Sequence, residues 1–456
     1  MKNKAKRSLT EGPILQVLAK LALPIMASSF LSTAYGITDM AWIGKLGSKA
    51  VAGVGVGGMY MWLSSGLVSL AKMGGQVKMA QEIGAGNEEN AKKYAHAALW
   101  LTTIFGIVFG LVCMVFTDGL IALLGIDEAV TVKHADIYMK ITCGLVIFAF
   151  LGRTLTGLYT AQGDSRTPLK ANVVGLVTNM VLDPMLILGF GPIPKMGVFG
   201  AALATVFSQL LVVLVLVWGI AFDKKKSNVL RGINYLSIPD MKYISGVIKI
   251  GTPTALQSML YCIISMILTR FASVFGEDVI ATQRVGEQIE SISWNTADGF
   301  AAAMNAFAAQ NFGAMQMKRI KKGYKLSVGM LLAWGCLVAF VFIVFPRGIS
   351  EIFFYEANAI SYSIKYLMII GISEPFMCIE LLATGAISGM GNTKICSIIS
   401  IIFTGLRIPL ALVLMELGLG ILGIWLAIAI SSVIKGIVLH IAFYRVLKLN
   451  ANLTTV

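Results

Sequence analysis

Residues 97–116 read AALWLTTIFGIVFGLVCMVF, a run without charge from Ala97 to Phe116. At 1.5 Å per residue, a helix of that length is about 30 Å long, the thickness of a bilayer's hydrocarbon core. The rest of the chain is similar. Of 456 residues, 57% are hydrophobic and 13% charged, whereas a soluble globule carries about 25% charged residues. Mean hydropathy is +0.80. There are too few polar groups to cover the surface, so most of it faces lipid, which excludes secreted, cytosolic and disordered classes. At about 35 to 40 residues per span and loop, the length accommodates roughly twelve spans. Apolar runs place them at about 14–40, 50–75, 93–117, 135–160, 168–190, 197–222, 246–272, 279–308, 324–346, 361–387, 394–416 and 420–446. The expected fold is an all-α integral membrane protein of 12 transmembrane helices.

The net charge of +14 comes from 37 basic and 23 acidic residues. The basic residues sit in alternate loops: Lys2, Lys4, Lys6 and Arg7; Lys78, Lys92 and Lys93; Arg166 and Lys170; Lys224 to Lys226 and Arg231; Lys318 to Lys325; Lys394; and Arg445 and Lys448. The positive-inside rule makes that side cytoplasmic, with both termini inside and the chain in the cell membrane. A nucleic-acid partner is not needed to explain the charge. The first apolar run has no small-residue cleavage site after it and reads as a retained helix. The six cysteines form no C-x-x-C pair and the three histidines are scattered, so neither a disulfide nor a structural metal is expected.

The chain also repeats itself. Pro24, Gly47, Ala52, Val56, Gly57, Ala80, Gln81 and Gly84 recur 229 residues later as Pro253, Gly276, Ala281, Val285, Gly286, Ala309, Gln310 and Gly313. Tyr138, Thr156, Gly157 and Gly163 recur at 228 as Tyr366, Thr384, Gly385 and Gly391. The longest polar connection, Asp223 to Lys242, separates the copies. The expected organisation is an N-lobe at 1–222, a cytoplasmic linker at 223–245 and a C-lobe at 246–456. Each lobe has six spans starting in the cytoplasm, so the repeats are parallel, as in transporters with a site between repeats.

Charge within a span costs about 2.5 kcal/mol or more at helix centre, which makes it a functional candidate. Asp39 ends the first span. Asp183 lies about 22 Å into the fifth, at 1.5 Å per residue from Pro168. Asn179 shares its helix face, and Asn172, seven residues earlier, extends that face inward. Thr205 enters about 12 Å down the sixth span, at a similar level. The second half lacks these acids: Asp39 maps to Leu268, and, with an assumed gap, Asn179 and Asp183 map to Thr404 and Ile408. An acid needed only for folding would be needed twice, so the asymmetry favours a coupling-ion site. Two acids out of water hold a proton more readily than one in solution. Ionised, with Asn179 and Thr205, they offer oxygens to a small cation such as Na⁺, and the residues leave H⁺ and Na⁺ both open. Pro24, mid-span, removes a backbone hydrogen bond and permits a hinge. Tyr35, Asn172, Glu287 and Glu290 are candidates for the cavity wall, the last two either lining it or paired with Arg284 on one helix face. Glu374 and Glu380 lie on the tenth span. Arg153, late in the fourth, is expected to reach the cytoplasmic interface.

The sequence resembles the MATE family, the multidrug and toxic compound extrusion transporters. The matching residues are Leu23-Pro24, Thr38-Asp39 to Lys45-Leu46-Gly47, Gln81 to Gly86, Gly163 to Pro168, Asn179 with Asp183-Pro184, and Gly200 to Thr205, echoed by Gln310 to Ala314 and Gly389 to Thr393. The resemblance implies two six-helix lobes around a central cavity and export of organic cations and amphipathic drugs against H⁺ or Na⁺. It also implies no cofactor and no enzymatic activity, and a monomer surrounded by lipid is expected. Asp39, Asn179, Asp183 and Thr205 fall on motif positions of the DinF-like branch, whose ion site is in the N-lobe. The NorM-like branch uses C-lobe carboxylates, and Met377 stands near one of those positions here. A lipid-linked oligosaccharide flippase of related fold is the alternative, and it needs several basic groups in its cavity.

Overall fold

The computed structural model describes residues 9–125, 128–192, 194–222, 228–235 and 237–453. Lys2, Lys4, Lys6, Arg7, Lys224, Lys225 and Lys226, and with them part of the expected linker, lie outside the described residues. The first half contains α1 (Ile14–Gly44), α2 (Ser48–Gly84), α3 (Glu88–Val115), α4 (Thr117–Leu123), α5 (Ala129–Thr142), α6 (Ile147–Ala161), α7 (Arg166–Leu188) and α8 (Val198–Ala221). The second contains α9 (Met241–Ala272), α10 (Glu277–Gly313), α11 (Met317–Val344), α12 (Pro346–Phe353), α13 (Ala357–Gly389), α14 (Thr393–Gly405), α15 (Arg407–Leu414) and α16 (Ile421–Leu453).

Among the described residues, ten spans are long and apolar enough to cross a bilayer, and α5 with α6, bent by 48°, makes up to eleven. The remaining long helix, α10, has 37 residues but carries Arg284, Glu287, Glu290 and Asp298. It completes the expected twelve. Side chains such as Val108, Leu111 and Val115 on α3 stay exposed, as expected of a lipid-facing surface. Two short helices, α4 and α12, begin 229 residues apart, and their brevity hid them from the search for apolar runs.

The duplication extends to packing. Gly47 and Gly276 precede α2 and α10 with φ of 101° and 105°, values that a side chain would strain. A Cβ on Gly57 would meet the ring of Tyr138, and one on Gly286 would meet the ring of Tyr366. Gly106 lies against Ile147, and Gly335 against Pro375. The halves differ at this last contact. The fourth span breaks between Thr142 and Ile147, whereas α13 continues through Pro375.

Compactness divides the chain into two units. One contains Ala27–Ala255, and the other contains Leu9–Met26 and everything from Leu256 onward. The first helix of each repeat therefore changes unit, α1 after Met26 and α9 after Ala255, two residues past Pro24 and Pro253 respectively. The early part of α1 is held in the second unit. Leu18, Leu21 and Ala22 join its main core, and Leu9 N–H donates to Gln310 Oε1 at 2.9 Å. The early part of α9 is held in the first, where Tyr243 Oη donates to Asn90 Oδ1 at 2.8 Å and Val247 fills the space left by Gly74.

Candidate functional site

The site lies in the first unit, where α1, α5, α7 and α8 meet. A core of Ile43, Val54, Tyr138, Ile187, Val198 and Ala201 surrounds it. Small residues on α8, among them Gly200, Ala201 and Ala202, let α7 approach closely; a Cβ on Gly200 would meet the Leu186 backbone. That packing leaves Asn179 and Asp183 fully buried, and Asp39 and Thr205 are 8% and 6% exposed.

Asn179 Nδ2 donates to Asp183 Oδ1 at 3.2 Å. The Asp39 and Asp183 carboxyl groups lie within hydrogen-bonding reach of each other. Asp39 Oδ1, Asn179 Oδ1 and Asp183 Oδ2 are buried without a hydrogen-bond partner. Unsatisfied buried oxygens are costly. Three of them on neighbouring groups form a ready acceptor set for a proton or a small hard cation. Tyr35 Oη donates to Thr205 Oγ1 at 3.2 Å, and the Tyr138 hydroxyl lies beside Asp39 and Thr205.

A cavity of about 300 Å³ adjoins this cluster within the same unit. Tyr35, Thr205 and Asn172 line it, but Asp39, Asn179 and Asp183 do not. The Tyr35–Thr205 pair thus stands between the open cavity and the carboxyl cluster, and α7 runs from one to the other through Asn172, Asn179 and Asp183. Arg153 and Lys72 also line the cavity. Arg153 was expected at the cytoplasmic interface and instead faces this chamber, because α6 restarts after the break in the fourth span. Lys72 gave no sequence signal beyond being a charge in a span. Tyr138 was recognised only as a repeated residue, and its place beside Asp39 depends on α5 packing against α2 at Gly57.

Glu287 and Glu290 stand elsewhere, on α10 in the second unit. Glu287 Oε1 accepts from Gln283 Nε2 at 3.0 Å, and Glu290 Oε2 accepts from Tyr366 Oη at 3.5 Å. Glu374 is buried in this half as well, and two buried cations, Lys435 and Arg407, stand beside polar partners. Lys435 Nζ pairs with Glu380 Oε1 at 2.8 Å and also donates to Thr404 Oγ1 at 3.4 Å. Arg407 donates to Ser431 and Ser432 at 2.6 and 3.0 Å. Thr404, the counterpart read for Asn179, therefore meets an ammonium where Asn179 meets a carboxylate. No cluster of three or more His, Cys, Asp or Glu able to hold a metal occurs among the described residues.

The MatE family model matches twice, over residues 24–185 and 253–413, one copy in each repeat. The chain belongs to the MatE family. It is a multi-pass membrane transporter and not an enzyme. Among similar MatE proteins, the "Probable multidrug resistance protein NorM" of Thermotoga maritima is 28% identical, over 95% of this chain and 90% of that one. The "FAD transporter" of Shewanella oneidensis is 24% identical, over 97% of each chain. A MATE crystal structure in the bent conformation superposes with a TM-score of 0.91 at 20% identity, covering all of both chains; at that identity the likeness concerns the fold.

Proposed function

We propose that this MatE protein is an efflux antiporter, exporting small amphipathic compounds by alternating access in exchange for H⁺ or Na⁺ bound between Asp39 and Asp183. The basic residues in alternate loops support a chain in the inner or plasma membrane with both termini in the cytoplasm. The observation that carries the reading is the set of three buried, unpartnered oxygens on Asp39, Asn179 and Asp183. A coupling ion taken up there neutralises the pair. Tyr35, one turn before Asp39 on α1, then transmits the change to the cavity through its bond to Thr205. One charge crossing 100 mV supplies about 2.3 kcal/mol, enough for one or two ions to drive modest accumulation. The relatives' names, drug resistance in one case and FAD in another, are consistent with export of bulky small molecules. Transport into proteoliposomes under a pH gradient, a sodium gradient or neither tests the proposal. One gradient should drive it and Asp183→Asn should remove that dependence; equal rates in all three conditions would refute coupling.

A further inference from the structure

The cavity of the first unit has an unusual electrical character. Arg153 on α6 and Lys72 on α2 both line it, and no Asp or Glu does. The two cations stand on packed helices. A Cβ on Gly157 would fall 2.9 Å from Lys72 Cγ, and Gly157 is one turn beyond Arg153 on the same helix face. Arg153 has no ion-pair partner among the described residues. A cation at membrane depth is costly to hold. A fold requirement does not explain them, because the second half puts Ala301 where Lys72 stands and Leu381 where Arg153 stands, at offsets of 229 and 228. Asn172 and Gln209 add polar groups to the wall, while Leu31, Met61, Phe148 and Val212 make the rest apolar.

We infer that this cavity binds an organic anion, a carboxylate, sulfonate or phosphate held by Arg153 and Lys72, with its apolar body against Met61 and Phe148. A guanidinium matches such groups with two parallel hydrogen bonds, and an ammonium adds a point charge. As a statement about cargo this rests on the efflux reading above; as a statement about binding it does not. An ionised Asp39–Asp183 pair repels such a ligand, so exchange of ion for anion runs through the Tyr35–Thr205 contact and not through charge alone. The expected preference is opposite to the organic cations that the family resemblance implies.

The test uses the full chain in nanodiscs, without any ion gradient, at alkaline pH. Fluorescein and the methyl ester of rhodamine share a xanthene body and carry opposite charges. Fluorescence anisotropy should show fluorescein binding more tightly than the rhodamine ester. Arg153→Gln and Lys72→Gln should each weaken fluorescein about tenfold, the loss of a charge-assisted bond, and leave the rhodamine ester unchanged or tighter. Arg153→Lys, which keeps the charge, should retain most of the affinity and shows that the site survives substitution. Tighter binding of the rhodamine ester by the wild type, or unchanged fluorescein affinity in monodisperse Arg153→Gln, would overturn the inference. Repeating the titration with phosphatidylglycerol in the disc identifies the source of the anion: competition points to a lipid headgroup, and no competition to a soluble anion, and either result supports the site. Because the titration applies no gradient and reads binding alone, failure of coupling and failure of this inference are separable.

Discussion

Tyr35 Oη donates to Thr205 Oγ1 at 3.2 Å, joining α1 to α8 at a pair that borders both the cavity and the carboxyl cluster. If this bond transmits the state of the acids to the cargo, both of its ends should matter equally. Tyr35→Phe and Thr205→Val should each lower gradient-driven efflux about fivefold, the worth of one hydrogen bond of about 1 kcal/mol. The double variant should be no slower than either single one. Additive losses in a proteoliposome assay would mean that the two residues act separately.

Asp39 and Asp183 should behave as a single unit, since each carboxyl lies within reach of the other. Asp39→Asn and Asp183→Asn should each reduce ion-driven efflux at least about tenfold, and combining them should add little, as is usual for groups that share one network. Wild-type export by both single variants in a drug-sensitive host would remove the pair from the mechanism.

Packing around the site predicts a stability contrast along α2. A Cβ on Gly57 would collide with the Tyr138 ring, whereas nothing lies within 4 Å of one on Gly55 or Gly58. Gly57→Ala should destabilise the protein by about 1–3 kcal/mol, the usual cost of overpacking, and lower the melting temperature in detergent. Gly58→Ala should leave it unchanged. Equal melting temperatures for both would show that Tyr138 is free to move aside.

Pro24 and Pro253 each precede, by two residues, the point where their helix changes unit. Restoring the missing backbone hydrogen bond stiffens the helix there. Pro24→Ala should therefore express and melt like the wild type but transport several-fold more slowly. Normal transport would make the proline a static feature.

The Glu380–Lys435 pair reads as structural. Both side chains are largely buried, 12% and 4% exposed. Removing one partner strands a charge, at a cost of about 3–5 kcal/mol. Lys435→Met should lose most folded yield in size-exclusion chromatography, and Glu380→Met with Lys435→Met should recover it. A poor yield for the double variant would show that the ions do more than satisfy each other.

Much of this protein was legible without coordinates. Lipid-facing composition dictates helices, because backbone groups in hydrocarbon must bond within their own segment. Nearly constant offsets of 229 and 228 residues dictate the duplication, Asp39 and Asp183 stood out because charge in a span is costly, and Asn179 because it shares a helix face with Asp183. The two first helices, by contrast, divide between compact units; Pro24 and Pro253 mark the places, but which unit holds each end depends on partners far away in sequence. The bend between α5 and α6 was equally silent, since Cys143 to Val146 is as apolar as its flanks, yet α6 restarts from it and brings Arg153 into the cavity. Periodicity and spacing record what each residue can do alone. Which oxygens end up facing each other, and that two cations share a chamber free of acids, depends on contacts between helices far apart in sequence, and only the folded packing sets those.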